Sequence, residues 1–166
     1  MNENYLMING KRVDLTEEQI KKLGLKVEKD YFKKDEFLSE TYYFINSAGN
    51  ILDTKDLSER IDKERYNVAN YCTNEPLLQQ RALHETLSRL LWRFSMQNDG
   101  DKIDWNNNTC DKYYIYLDKQ VNKFNINANN YCSTQGIIYF YSKEIAEKAI
   151  QEIVIPFMDE HPEFVW

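Results

Sequence analysis

A chain of 166 residues with 42% hydrophobic and 14% aromatic side chains is long enough to bury a core and too apolar for a disordered segment, despite its 29% charged residues. Its formal charge of -6, from 21 basic and 27 acidic residues, argues against extended nucleic-acid binding, which needs lysine and arginine to displace counterions at phosphates. The cysteines Cys72, Cys110 and Cys132 are odd in number and lack CxxC spacing, so they suggest neither a disulfide framework nor a zinc ribbon and fit a reducing cytoplasm.

The start MNENYLMING lacks the charged and apolar regions of a signal peptide. Apolar runs such as 136–141 are far too short to span a bilayer. In chain order, Tyr5–Ile8 and Lys11–Leu15 flank Asn9-Gly10, the pair that best tolerates a type I′ turn, and predict a hairpin. Thr16 as N-cap, Gln19 as its capping-box partner and Gly24 after Leu23 bracket a short helix. Residues 26–40 are charge-dense, fit neither helical nor strand period, and read as a connector. Tyr42–Ile45, a turn at Ala48-Gly49-Asn50 and a return strand from Ile51 to Asp53 predict a second hairpin.

The segment from Pro76 to Asn98 predicts the longest helix, with Thr73 as cap and Glu75 at the positive end of the dipole. Leu83, Leu87, Leu90, Leu91 and Phe94 recur at steps of three and four and form its apolar face, with Trp92 widening it. After a polar loop from Asn98 to Asp111, the runs Tyr113–Leu117, Phe124–Ala128 and Ile137–Tyr141 predict a meander. Ser142 caps a last helix bearing Ile145, Ala146, Ala149, Ile150, Ile153 and Val154, with a kink near Pro156. The expected fold is therefore α+β: an antiparallel sheet of hairpins and a meander covered by two main helices. Residues 1–41 form an N-terminal β-β-α appendage and connector, and residues 42–166 form the main two-layer domain. The echo Asn70-Tyr71-Cys72-Thr73 and Asn130-Tyr131-Cys132-Ser133 would fit strands followed by a helix in each half, but it spans only four residues, and in a chain rich in Asn and Tyr chance is the readier explanation.

Chemistry-bearing motifs are sparse. His84-Glu85 opens an HExxH pattern that fails at Ser88, and His161, the other histidine, lies in another segment, so we expect no metal site. A Cys–His nucleophile would need Cys72, Cys110 or Cys132 to meet His84 or His161 in space. Isolated glycines build no phosphate or dinucleotide loop, and no cofactor is expected. Asp99, Asp101 and Asp104 beside Gly100 lack calcium-loop spacing and read as a solvated helix-ending loop. Within it, Trp105 places a large aromatic among polar groups and is the leading candidate for partner contact, with Asp99, Asp101 and Asp104 as the electrostatic part. The alternative, a nucleic-acid- or nucleotide-binding module, would use Arg81, Arg89 and Arg93 with sheet tyrosines such as Tyr114, Tyr116 and Tyr139. Arg89 and Arg93, four apart, would form its positive patch; the ordinary reading is a salt-bridged helix face in which Glu85 pairs with Arg89, four residues on.

The strings Tyr-Tyr-Phe-Ile-Asn-Ser at 42–47, Arg-Tyr-Asn-Val-Ala-Asn at 65–70 and Ile-Tyr-Phe-Tyr-Ser-Lys-Glu-Ile-Ala-Glu-Lys-Ala-Ile at 138–150 resemble uncharacterised small acidic proteins of Firmicute phages and prophages. The resemblance implies a non-enzymatic accessory protein in a bacterial cytoplasm. It would bind a host protein, such as a CRISPR nuclease or another nucleic-acid-processing defence effector, with no membrane and no direct nucleic-acid contact.

Overall fold

The computed structural model describes residues 5–8, 10–24, 30–32 and 41–166, and the chain divides into two units, residues 1–33 and 34–166. In the first unit, strands β1 (Tyr5–Ile8) and β2 (Lys11–Asp14) pair antiparallel, with Ile8 opposite Lys11. Gly10 takes a left-handed φ of 77° in the turn, while Asn9 lies outside the described residues. Helix α1 (Glu17–Lys22) starts with the reciprocal box expected of it: Gln19 N–H donates to the Thr16 hydroxyl, and Thr16 N–H donates to Gln19 Oε1. Leu15 and Ile20 are buried within this unit. The connector at 26–40 lies outside the described residues apart from 30–32, where the Asp30 carboxylate accepts from Phe32 N–H.

The second unit opens with the antiparallel pair β3 (Thr41–Ile45) and β4 (Ile51–Lys55). Asn46 builds the turn between them, its Oδ1 accepting from both Ala48 and Asn50 N–H at 2.9 and 3.0 Å. Helix α2 (Arg60–Asn67) follows, an element the sequence pattern does not announce, because RIDKERYN carries no apolar period and buries only Asp62. Its ends explain it. At the N-terminus the Asp62 carboxylate accepts from Leu57 and Glu59 N–H. At the C-terminus Asn70 N–H bonds Arg65 O and Ala69 N–H bonds Tyr66 O, a Schellman pair that forces Ala69 to a φ of 54°.

Two buried tyrosines tie α2 to the β3–β4 hairpin. The rings of Tyr42 and Tyr71 stack at 4.0 Å. Tyr42 donates its hydroxyl to Asp62 at 2.7 Å and accepts from Arg65 at 2.8 Å, and Tyr71 donates to Asp56 at 3.0 Å. Burial pushes the Asp62 carboxyl upward, but the Tyr42 hydroxyl, the Glu59 and Leu57 amides and the Arg65 charge outweigh it and hold the group below the ordinary aspartate value. Tyr42 is raised above its ordinary value, by burial first and by the Asp62 hydrogen bond second.

Helix α3 (Glu75–Gln97) is capped by Asn74, whose side chain accepts from Leu77 N–H, one residue beyond the expected Thr73. Leu87, Leu91 and Phe94 face the core, whereas Trp92 is 57% exposed. One residue past Leu91 is a 100° turn of the helix, which carries Trp92 off the apolar stripe. A short 3-10 turn (Gly100–Lys102) leads through the polar loop to the antiparallel strands β5 (Lys112–Asp118) and β6 (Lys123–Asn129). The third arm of the meander is reduced to one antiparallel bridge, Tyr113 with Phe140. The Tyr139 carbonyl there accepts from the buried Ser95 hydroxyl of α3 at 2.7 Å, and Ser142 already caps the next helix. Helix α4 (Lys143–Ala149), a π-helical turn (Ile150–Val154) and α5 (Ile155–Glu160) run end to end. The wide turn sits just where Pro156, lacking N–H, would collide with the carbonyl of Glu152 in a regular helix, so the expected kink is a π-bulge.

The result is an α+β fold whose largest core joins α3, α4, the π turn and α5 to Phe140 and Phe164, with Tyr113, Ile115, Phe124 and Ile126 of the β5–β6 hairpin packed against it. The segment 164–166 folds back: Phe164 packs on Phe157 and His84, and Trp166 meets Phe124 edge-on at 4.9 Å.

Two outcomes follow. Ala69→Gly relieves the left-handed strain and is expected to stabilise the protein by about 0.5–1 kcal/mol in urea unfolding; destabilisation would show that the Ala69 methyl packs usefully. Because the folded Asp62 pKa lies below the unfolded one, its contribution is present above the unfolded value and is lost as pH falls through the folded value. Asp62→Asn should cost about 3 kcal/mol near neutrality and flatten the acid limb of a stability–pH curve. An unchanged limb would assign the acid sensitivity to other groups.

Candidate functional site

At the C-terminal end of α3 the chain makes an acidic turn with little freedom. Gly100 is pressed so closely onto Ser95 that an added Cβ would lie 2.4 Å from its hydroxyl, a contact no other residue allows. Asp99 is left-handed at φ 65° and pairs with Lys102 at 2.7 Å. The Asp99 hydrogen bond and charge, with smaller contributions from Asp101 and Tyr141, hold the Lys102 ammonium above its ordinary value. Asp104 accepts from Asn106 N–H at 2.9 Å and shapes the loop beyond.

Trp105 is fixed within this loop rather than waving from it. Its ring meets Tyr139 edge-on, with centroids 5.0 Å apart, and Lys112 Nζ stands 5.9 Å over its face. Lys112, itself buried, donates to Asn107 O at 2.5 Å and so closes the loop onto the start of β5. Tyr139 is braced in turn by Tyr114 and by Thr134 N–H on its hydroxyl. Even so, Trp105 stays 47% exposed, and Tyr141 beside Lys102 is 48% exposed. The predicted residues Asp99, Asp101, Asp104 and Trp105 thus share one end of α3. Tyr141 adds a second exposed aromatic to this surface, while the buried Lys112 and Tyr139 brace Trp105; the partners of the two tyrosines lie far away along the chain, so nothing local in the sequence marks them.

The second predicted set separates. Arg81 and Arg89 both pair with Glu85, Arg81 Nε to Oε1 at 2.9 Å and Arg89 to Oε2 at 3.2 Å, and both line a cavity of about 260 Å³ with the β3–β4 turn. Arg93 is exposed one turn further on and is not part of that lining. Sheet tyrosines do not reach it either: Tyr113 packs toward the core, while Tyr114 leans on Tyr139. His84 packs edge-on against Phe164, and His161 lies tilted against Phe157. Cys72 is buried. Cys110 and Cys132 are exposed and each accepts from a side-chain amide three residues earlier, Asn107 and Asn129 respectively. Among the described residues no group of three His, Cys, Asp or Glu side chains is placed to hold a metal ion, and no helix is long and apolar enough to cross a membrane.

No protein-family model, curated protein or solved structure matches this chain.

The edge contact makes Trp105 an anchored but modest contributor to folding. Trp105→Ala is expected to lower stability by about 1 kcal/mol, and Trp92→Ala by less than about 0.5 kcal/mol, both read from urea midpoints. A loss for Trp105→Ala of the size seen for core residues would make it a structural lid instead.

Proposed function

We propose that this chain is a non-enzymatic binding protein that docks onto a basic face of a host protein through Trp105, Tyr141 and the carboxylates Asp99, Asp101 and Asp104. One observation carries the reading. Three carboxylates gather at the end of α3 where the helix dipole is negative and where cations, not anions, are favourable. The last turn of α3 holds no basic residue, and Lys102 beyond it pairs with Asp99, leaving Asp101 and Asp104 without an ion-pair partner among the described residues. An arrangement that works against local stability is the kind retained at a functional surface.

The aromatic half of the surface supports the same reading. Trp105 is held in a single packed position by Tyr139 and Lys112, so little conformational freedom is lost when it is covered. An immobilised, half-exposed Trp with an exposed Tyr beside like charges suits a binding hot spot with an electrostatic rim, and the rim steers a positively charged partner. The resemblance to phage proteins points to a nucleic-acid-processing defence effector as that partner, since such enzymes hold nucleic acid in positive channels that an acidic surface can occupy.

The test is a pull-down from nuclease-treated lysate of a bacterial host at low and moderate salt, comparing the parent chain with a Trp105→Ala, Asp101→Asn, Asp104→Asn variant. Asn keeps the acceptor that Asp104 offers to Asn106. The two Asp→Asn changes alone should raise stability by about 0.3–1 kcal/mol. The triple variant should lose a partner retained by the parent, with affinity down about tenfold or more. Equal retention by both proteins would remove this surface from the binding reaction.

A further inference from the structure

In the cavity between α3 and the β3–β4 turn the side-chain amide and carboxylate oxygens already take hydrogen bonds within the protein, while several donors do not give one. Glu85 has both oxygens engaged, one by Arg81 and one by Arg89. Asn70 is consumed by β3: its Oδ1 accepts from Ile45 N–H and its Nδ2 donates to Ile45 O, at 2.8 and 2.7 Å. The Asn46 Oδ1 takes two turn amides. Every side-chain acceptor of the lining amides and carboxylate is therefore occupied within the protein. The donors are not. Asn46 Nδ2 and the Ser47 hydroxyl have no partner among the described residues, and each guanidinium retains N–H groups beyond those bonded to Glu85 and, for Arg81, to Ala69 O.

We infer that this cavity is a binding site for the phosphoryl group of a small phosphomonoester, gripped by Arg81 and Arg89 from the helix and by Ser47 and Asn46 from the turn. Two arginines against one glutamate leave a net positive charge in a chain whose overall charge is -6. Donors converge from two separate elements, which suits a tetrahedral group better than a planar carboxylate. The volume of about 260 Å³ exceeds what a phosphoryl group fills and leaves room for a small organic remainder.

The site is also held in shape by features that are costly elsewhere. Ala69, left-handed at 54° without being glycine, aims its carbonyl at Arg81. Gly49, at φ 90°, brings the turn against Thr86 and Arg89, where an added Cβ would sit 3.4 Å from the Thr86 hydroxyl. The arginines are thereby positioned before any ligand arrives, with Glu85 as the residue that positions both. This inference is independent of the Trp105 surface.

The experiment is a titration of the intact chain with inorganic phosphate and with glycerol phosphate at constant ionic strength, followed by amide and arginine side-chain NMR shifts, with acetate as the control anion. Expected are saturating shifts at Asn46, Ser47 and the Arg89 side chain, weakened about ten- to a hundredfold by Arg89→Gln and only partly restored by Arg89→Lys, which keeps the charge but not the fork. Ser47→Ala gives a second, milder loss at an exposed position that carries no fold contact. Absence of saturating shifts at millimolar phosphate, equal binding of acetate, or shifts that survive Arg89→Gln would each overturn the assignment.

Discussion

Two aspartates without water, Asp56 at 0% and Asp62 at 3% exposure, set the terms for the first half of the main unit. A buried carboxylate is tolerable only when its lone pairs are met. Asp62 collects donors from Tyr42, Leu57 and Glu59, and Asp56 from Tyr71 and Ser58. Those donors come from β3, the loop after β4 and the strand-like segment before α3. Satisfying two charges therefore fixes the position of α2, an eight-residue helix with no apolar stripe of its own, and stacks the tyrosines that close the layer. Arg65 completes the arrangement by lying 3.4 Å over the Phe44 ring while donating to Tyr42.

From that anchor a repeated architecture emerges. The first strand of each hairpin in the main unit forms one antiparallel bridge to a segment two residues ahead of a helix N-cap: Tyr43 with Cys72 before Asn74, and Tyr113 with Phe140 before Ser142. Tyr71-Cys72 and Tyr139-Phe140 are thus structural counterparts, and all four are buried. The echo visible in the sequence aligns differently, matching Tyr71 with Tyr131, which is 81% exposed. Hairpin, bridge and helix recur, while the four-residue echo does not coincide with the recurrence. Helix α3 belongs to both copies, contacting β3 and β4 as well as α4 and the π turn.

Local chemistry was legible in the sequence. Thr16 with Gln19, the turn at Ala48-Gly49-Asn50, Pro76 in the first turn of α3 and Ser142 all act within a few residues of themselves, so their types suffice to place them. The α+β class followed from these signals and from period. What stayed hidden depends on partners far along the chain. Helix α2 is stabilised by a tyrosine twenty residues away and has no period to betray it; the third arm of the meander yields its carbonyl to Ser95, forty-four residues distant. Trp105 was singled out by its polar surroundings, but the residues that hold it, Lys112 and Tyr139, could be found only in three dimensions. Arg81, Arg89 and Arg93 were legible as basic residues of one helix, with Arg89 and Arg93 as the expected patch; that Arg81 and Arg89 instead share a cavity with the β3–β4 turn, and Arg93 does not, was not.

The two surfaces on α3 carry opposite charge, and whether one compromises the other is a matter of distance. Ten residues separate Arg89 from Asp99, or about 15 Å along a helix axis, against a screening length of about 8 Å at physiological ionic strength. At that salt the acidic end contributes little repulsion at the arginine pair, and Glu85 governs the local field there instead. At low salt the separation is shorter than the screening length and the same carboxylates oppose an approaching anion. A chain with a net charge of -6 can therefore present a donor-lined cavity and an acidic face along one helix, because the helix is long enough for the solvent between them to make the two electrostatically separate.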